Sequence, residues 1–386
     1  MNKTILPAIN VNRVWRGVLL ASALTLALGS VCSTPGFAEE TRVERLVRQL
    51  GSESFDEREK AVKELIEIGA PALEALRKAA SSSDAEVAMR AKASVPEIER
   101  NEKMLGLVAR LNSNSAKERA DAASGLAALG SGARKALPAL IATVDDGDPQ
   151  VRERAINALG AIGPFAAQAV PRLIRVLEDR NQTEDIRWCV VNSLGEIGAP
   201  AREAIPALLG LIEKERRLMK LAAMFALGKI GRGDKRVVLA LMKALDNDDN
   251  RIQVRATLSL GALAEEHEIV VPALVRLIKK HKSDPDREDL IRCTISALKD
   301  FKTGAEPAVP VLVEMIVSPE TALELRHEAA KLLGALGPVA RDAAPVLSAW
   351  AKNNQAEATR LGAVAPAPRI RKETHCPRRV GRGTGR

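Results

Sequence analysis

The residue types that most often carry catalysis are scarce in this chain and poorly spaced for it. The four histidines are His267, His281, His327 and His375. No two stand three or four apart, so no pair can share a helix face to hold zinc. Each reads as a surface or hydrogen-bonded histidine. Gly228-Lys229 mimics the end of a phosphate loop but lacks the upstream glycine and the following hydroxyl. No Gly-x-Ser-x-Gly occurs, and no cysteine stands in a suggestive context with a histidine. The carboxylate pairs Asp145-Asp146 and Asp248-Asp249 fall in segments that read as solvated loops. The sequence therefore offers no catalytic, cofactor-binding or metal-binding residue, implies no cofactor, and points away from an enzyme.

What the chain does repeat is a phrase. It reads LIEIGAP at 65–71, LAALGSG at 126–132, LGAIGPF at 159–165, LGEIGAP at 194–200 and LGKIGRG at 227–233. It fades to LGALAEE at 260–266 and LKDFKTG at 298–304, then returns as LGALGPV at 333–339. Twelve residues after the first Leu of the last seven copies stand Pro138, Pro171, Pro206, Leu239, Pro272, Pro310 and Pro345. A proline in six of seven positions at constant spacing defines a register. The copies themselves are 33 to 38 residues apart, so the length variation belongs to the loops between repeats.

Each repeat reads as two helices. Helix A runs up to the phrase, whose Gly supplies a left-handed C-cap. Helix B begins with the Pro in its first turn, where a missing N–H costs nothing. Counting from that Pro, positions +2, +3 and +6 are apolar: Leu173, Ile174 and Leu177, then Leu208, Leu209 and Ile212, then Leu274, Val275 and Ile278. That is helical spacing with one face to bury, which a lone pair cannot do and stacked neighbours can. The repeats expected are 52–82, 83–112, 113–146, 147–180, 181–214, 215–247, 248–282, 283–318 and 319–352, the second of them degenerate. The last leaves an apolar face near Leu347 and Trp350 without a polar cap.

Over residues 42–352 the chain resembles the HEAT-repeat superfamily, in the short bacterial form also seen in phycobilisome lyase-like proteins. The pattern D-x-V-R-x-x-A…LG-x-IG…V-P-x-L reads almost whole at Asp148–Leu173. The resemblance implies an all-α fold, a right-handed α-α superhelix of about nine helix pairs. It also implies structural roles for Asp148, Arg152 and Arg187, members of a row of basic residues seven before the anchor Leu. That row is Arg58, Arg119, Arg152, Arg187, Lys220 and Arg326.

A second row lies on helix B, outside the apolar stripe. Arg172, Arg175, Lys243, Arg276, Lys280 and Glu314 fall at positions +1, +4 and +8 and form a modestly basic ridge. In solenoids of this kind the B helices line the concave face, so these residues are the candidates for binding a protein partner.

The formal net charge of +9 belongs to the two ends. Residues 1–38 carry +3, residues 353–386 carry +6, and 39–352 holds 47 basic and 47 acidic residues. A neutral body with almost no exposed aromatics to stack on bases argues against nucleic acid. The first 38 residues have a signal-peptide layout: Lys3, Arg13 and Arg16, then the apolar stretch Gly17–Val31, then Gly36-Phe37-Ala38. Cleavage after Ala38 and a periplasmic or other extracytoplasmic location are expected, with an uncleaved membrane anchor as the lesser alternative. Residues 353–386 read as a basic, disordered tail, which with the N-terminal segment is the one place for membrane contact. Beyond Cys32 the cysteines are Cys189, Cys293 and Cys376, an odd number that makes no disulfide framework. The function expected is an exported scaffold for protein–protein interaction. The alternatives are a lyase or lyase-chaperone related to the phycobilin lyases, and a structural envelope protein.

Overall fold

The computed structural model describes residues 35–353, all of whose regular elements are helices. The expected leader up to residue 34 with Cys32, and the tail from residue 354 with His375 and Cys376, lie outside the described residues. The chain divides into two units, Met1–Glu102 and Lys103–Arg386.

The first unit contains α1 (Pro35–Gln49), α2 (Phe55–Ile68) and α3 (Leu73–Ala79), packed around Leu46, Leu50, Leu65, Leu76 and Ile98. A 26-residue helix, α4 (Ala85–Arg110), runs on into the second unit. Helix α1 precedes the first expected repeat. One expectation is corrected here. The pair expected at 83–112 is the single helix α4, with Pro96 in its interior. No glycine stands between Ala85 and Leu105, so the Leu-Gly phrase of the other repeats is absent here.

The second unit stacks seven helix pairs. They are α5 (Ala116–Ala128) with α6 (Leu137–Thr143), α7 (Pro149–Ile162) with α8 (Val170–Glu178), and α9 (Glu184–Ile197) with α10 (Ile205–Lys214). There follow α11 (Arg217–Ile230) with α12 (Lys235–Leu245), and α13 (Asn250–Leu263) with α14 (His267–His281). The last are α15 (Glu288–Asp300) with α16 (Val309–Val317), and α17 (Leu323–Leu336) with α18 (Ala344–Asn353). One continuous core joins them from Met104 to Trp350. On helix B the +2 side chains are the deepest: Leu173, Leu208, Leu274 and Leu312 are fully buried, while the +3 residues Ile174, Leu209, Val275 and Val313 are half-buried; at +6, Leu177, Ile278 and Ile316 are buried and Ile212 is half-buried. The end of the stack is better covered than expected. Trp350 is buried, with its ring edge-on to that of His327 at 4.9 Å between centroids.

The junction between the two helices is more structured than a cap. Gly163 and Gly198 have φ of 70° and 74° with ψ of −140° and −143°. That is a region open to glycine alone, and it is not the left-handed helical cap expected from the phrase. A 3₁₀ segment follows, as at Gly163–Ala169 and Ala199–Ala204. Such a helix has three residues per turn, so positions i and i+3 eclipse. The pairs Ala166 and Ala169, Ala201 and Ala204, Ala305 and Ala308 occupy those positions and are fully buried. A larger side chain there would collide with the next turn. Helix B then starts one residue before the Pro, which takes the second position.

The Gly of the Leu-Gly phrase has a separate role on helix A. A Cβ on Gly160 would lie 2.9 Å from Ser193 Cα, and one on Gly195 would lie 3.2 Å from Ala226 Cα. Gly228 meets Ser259 and Gly261 meets Ala297 in the same way. Neighbouring A helices thus touch through a glycine and a small residue. Where that residue is serine the contact carries a hydrogen bond: Ser193 Oγ donates to Ile156 O at 2.9 Å, and Ser259 Oγ to Met224 O at 2.9 Å.

Candidate functional site

Five of the six basic residues of the helix-A row bind backbone carbonyls ahead of their own helix, Lys220 being the exception. Arg58 Nη1 donates to Ser52 O at 2.6 Å and Glu53 O at 3.0 Å. Arg119 Nη1 reaches Ser113 O at 2.9 Å, and Arg152 Nη1 reaches Asp146 O at 2.8 Å and Gly147 O at 3.2 Å. Arg326 Nε donates to Thr321 O at 2.8 Å. Arg187 Nε reaches back to Leu177 O at 3.1 Å. Loop carbonyls that no helix could satisfy are thereby paired. Asp148 caps α7, its Oδ1 accepting from Gln150 N at 2.8 Å and Val151 N at 3.2 Å.

Three of these arginines also meet a carboxylate 27 or 28 residues further along the chain. Arg119 holds Asp146 through two bonds, of 2.7 and 2.8 Å. Its guanidinium keeps the Asp146 carboxyl below the usual carboxylate range, against the opposing effect of burial. Arg187 Nη2 donates to Glu215 Oε1 at 2.7 Å, and Arg58 Nε lies 3.2 Å from Glu86 Oε1.

The helix-B residues do not behave as one set. Arg175, Lys243, Arg276 and Lys280 are exposed on α8, α12 and α14, and none makes a side-chain hydrogen bond or ion pair among the described residues. Arg172 is instead paired with Asp145, and Glu314 with Lys282. Those two were expected to face a partner alongside the others. Each lies within reach of an oppositely charged side chain on the neighbouring repeat, which takes it. Beside Arg172 is a cavity of about 360 Å³ lined by Arg152, Arg175, Asp145, Asp146, Asp179 and Gln182. Burial, and then the neighbouring Arg175, press the Arg172 guanidinium toward a lower pKa than usual. Asp179 and Gln182 carry no signal in the repeat pattern, because they lie in the loop whose length varies.

Other reactive types are inert in their surroundings. Burial, with Glu153 nearby, pushes the Cys189 thiol up to about 11, so it stays protonated at neutral pH. Burial raises Cys293 also, and both cysteines are free. His327 is buried with Nδ1 2.9 Å from Leu323 O, and burial holds the half-buried His281 below its usual pKa. Among the described residues no group of three or more His, Cys, Asp or Glu could hold a metal ion. The expectation of few exposed aromatics needs correcting. Phe55 and Trp188 on A helices and Phe165 in a 3₁₀ segment are 60%, 48% and 56% exposed. Phe225 is flanked by Lys229 at 4.6 Å and Arg255 at 5.3 Å from its centroid.

Against known proteins, residues 104–180 match the family model for HEAT repeats, and residues 219–247 match that of the PBS lyase HEAT-like repeat. No curated protein matches the chain. Among solved structures, an engineered protein aligns at 23% identity over 82% of this chain and 94% of that one, with a TM-score of 0.42. The Kap95:Nup1 complex aligns at 14% identity over 88% of this chain, with a TM-score of 0.51. The chain spans 50% of that neighbour's length, and the likeness is one of fold.

Proposed function

The chain belongs to the HEAT-repeat superfamily, and from that premise we propose that it is an exported, non-enzymatic scaffold that captures a protein partner along the B helices, on the concave side. One observation carries the reading. Arg175, Lys243, Arg276 and Lys280 are exposed cations on three B helices of the same stack, α8, α12 and α14, unpaired among the described residues. Cations that are already held by neighbouring carboxylates have little attraction left for a partner; these four keep theirs. An acidic or mixed-charge segment of protein is the partner that such a ridge suits. Affinity comes from several modest contacts on a preformed surface, with little ordering cost on binding. A neighbour of like fold was solved as a complex, Kap95:Nup1, which supports a binding role at the level of fold only.

Export rests on the leader pattern of Lys3, Arg13, Arg16, Gly17–Val31 and Gly36-Phe37-Ala38. Two measurements test the proposal. Replacing Arg175, Lys243 and Arg276 together by Glu should abolish capture of the partner from the extracytoplasmic fraction; unchanged capture sinks the ridge. Mass spectrometry of the mature N-terminus should find Glu39 first, and a full-length chain in the cytoplasmic fraction would overturn export.

A further inference from the structure

The cavity beside Arg172 stands where its neighbours in the stack have an ion pair. In three repeats the helix-A arginine meets a carboxylate 27 or 28 residues further on: Arg119 with Asp146, Arg187 with Glu215, Arg58 with Glu86. For Arg152 the matching residue is Asp179. Yet Asp179 is turned aside, accepting from Asn181 N, Asn181 Nδ2 and Gln182 Nε2, each at 3.0 Å. Arg152 spends Nη1 on the loop carbonyls, and its buried Nε has no partner.

Two more buried polar atoms around the same cavity are unpaired, Arg172 Nε and Gln182 Oε1. The Gln182 amide is oriented by its neighbour, since the Asp179 carboxylate can only accept and so must face Nε2. The carboxylates in the lining are all engaged: Asp145 by Arg172, Asp146 by Arg119, Asp179 by Asn181 and Gln182. What is left over is cationic donor capacity on Arg152, Arg172 and Arg175, plus one acceptor on Gln182. Leaving buried polar atoms unpaired is costly, so a polar occupant is favoured.

We infer that this cavity binds the carboxylate of an acidic side chain from an extended peptide, held by Arg152 Nε and the unpaired Arg175, with Arg172 Nε, which the pair with Asp145 leaves free, as a further donor and Gln182 Oε1 accepting from the peptide's backbone N–H. The other repeats supply the chemical precedent, because there the same arginine takes a carboxylate. The inference rests on the helix-B reading, since Arg175 belongs to both. A carboxylate set between Arg172 and Arg175 also relieves the repulsion between them, the second of the causes that lower the Arg172 pKa. Water can satisfy the same atoms, so the test must detect the peptide.

The probe is a fluorescein-labelled decapeptide of alternating Glu and Ala, titrated with the full chain by fluorescence anisotropy. Its counterpart with Gln for Glu should bind at least about tenfold more weakly. Arg175→Gln and Gln182→Leu should each weaken the Glu peptide by about tenfold, with unfolding temperatures unchanged. Equal binding of the two peptides, or full affinity in both variants, overturns the inference. If Lys243→Gln with Arg276→Gln weakens binding while Gln182→Leu does not, the cavity fails and the ridge stands. If Gln182→Leu weakens it while Lys243→Gln with Arg276→Gln does not, the cavity stands and the ridge reading fails. Displacement of the peptide by inorganic phosphate at lower concentrations than by acetate overturns the assignment to carboxylate.

Discussion

Residues 113–214 and 215–282 carry the same register and reach it by different local means. In the first region each A helix leads through a 3₁₀ segment to a helix B with Pro at its second position. In the second region the 3₁₀ segment is missing. Helix α12 starts at Lys235 and α14 at His267, so Leu239 and Pro272 are interior residues, and Pro272 departs from the first-turn position expected of it. The turn before α14 is made by Ala264 and Glu266 at φ of 50° and 49°, where the first region uses glycine. Still, Leu241 and Leu274 are buried just as Leu173 and Leu208 are. The spacing of twelve therefore sets which face of helix B is buried, and it does not set where that helix begins. Packing against the neighbouring pair demands the first. Local turn chemistry is free to vary the second.

The two regions also differ in the loop clamp, and here the largest effect is expected. Arg119→Met removes a two-bond clamp on Asp146 and the bond to Ser113 O. It should lower the urea midpoint of unfolding more than any other substitution proposed below. Lys220→Met, at the matching position of the second region, breaks no such bond and should change stability by less than about 0.5 kcal/mol. The pH dependence sharpens the contrast. Because the folded pKa of Asp146 is lowered, its stabilising contribution is present above the unfolded value of about 3.9 and is lost as pH falls through the folded one. Arg119→Met should flatten the acid limb of the stability profile, and an unaltered limb would count against the clamp.

Next in size is the contact that both regions share. Gly160→Ala and Gly228→Ala should each cost about 1–3 kcal/mol, since the added Cβ meets Ser193 Cα at 2.9 Å or Ser259 Cβ at 3.0 Å. Gly334→Ala meets nothing within 4 Å and should gain about 0.5–1 kcal/mol. Equal effects at the three sites in thermal unfolding would break the claim that A helices touch through glycine. The junctions should respond in opposite directions. Gly198→Ala forces a residue with a Cβ to φ 74° and should cost about 1–3 kcal/mol. Ala264→Gly relieves a left-handed alanine and should gain about 1 kcal/mol at most. The smallest change is Ser193→Ala. It trades the bond to Ile156 O for the Gly–Ala contact already present at Gly195 and Ala226, at a cost of about 1 kcal/mol.

Much of the fold was legible in the one-dimensional pattern. Leu159, Leu194 and Leu227, the anchor leucines, are all buried, and the +2 leucines of helix B with them. The two alanines ahead of each Pro were legible too, at five and two residues before Pro138, Pro171, Pro206, Pro310 and Pro345. They signal the 3₁₀ segment once the eclipsing of i and i+3 is considered. The small residue before each anchor Leu, Ser193, Ala226, Ser259 or Ala297, likewise announces the glycine contact. The degenerate segment was harder. There the repeated phrase is absent, and 26 residues run as one helix with Pro96 in its interior.

The candidate site divides along the same line. Charge, spacing and exposure along helix B follow from a period, and a period is a property of sequence. Hence the period alone puts Arg175, Lys243, Arg276 and Lys280 outside the apolar stripe of helix B. Whether a cation stays available depends on which carboxylates the fold brings within 4 Å of it, and those come from other repeats through loops of variable length. Only the tertiary structure could show that Asp145 takes Arg172 and Lys282 takes Glu314. By the same token it alone shows that Asp179 turns away from Arg152 and leaves a polar cavity where its neighbours have an ion pair.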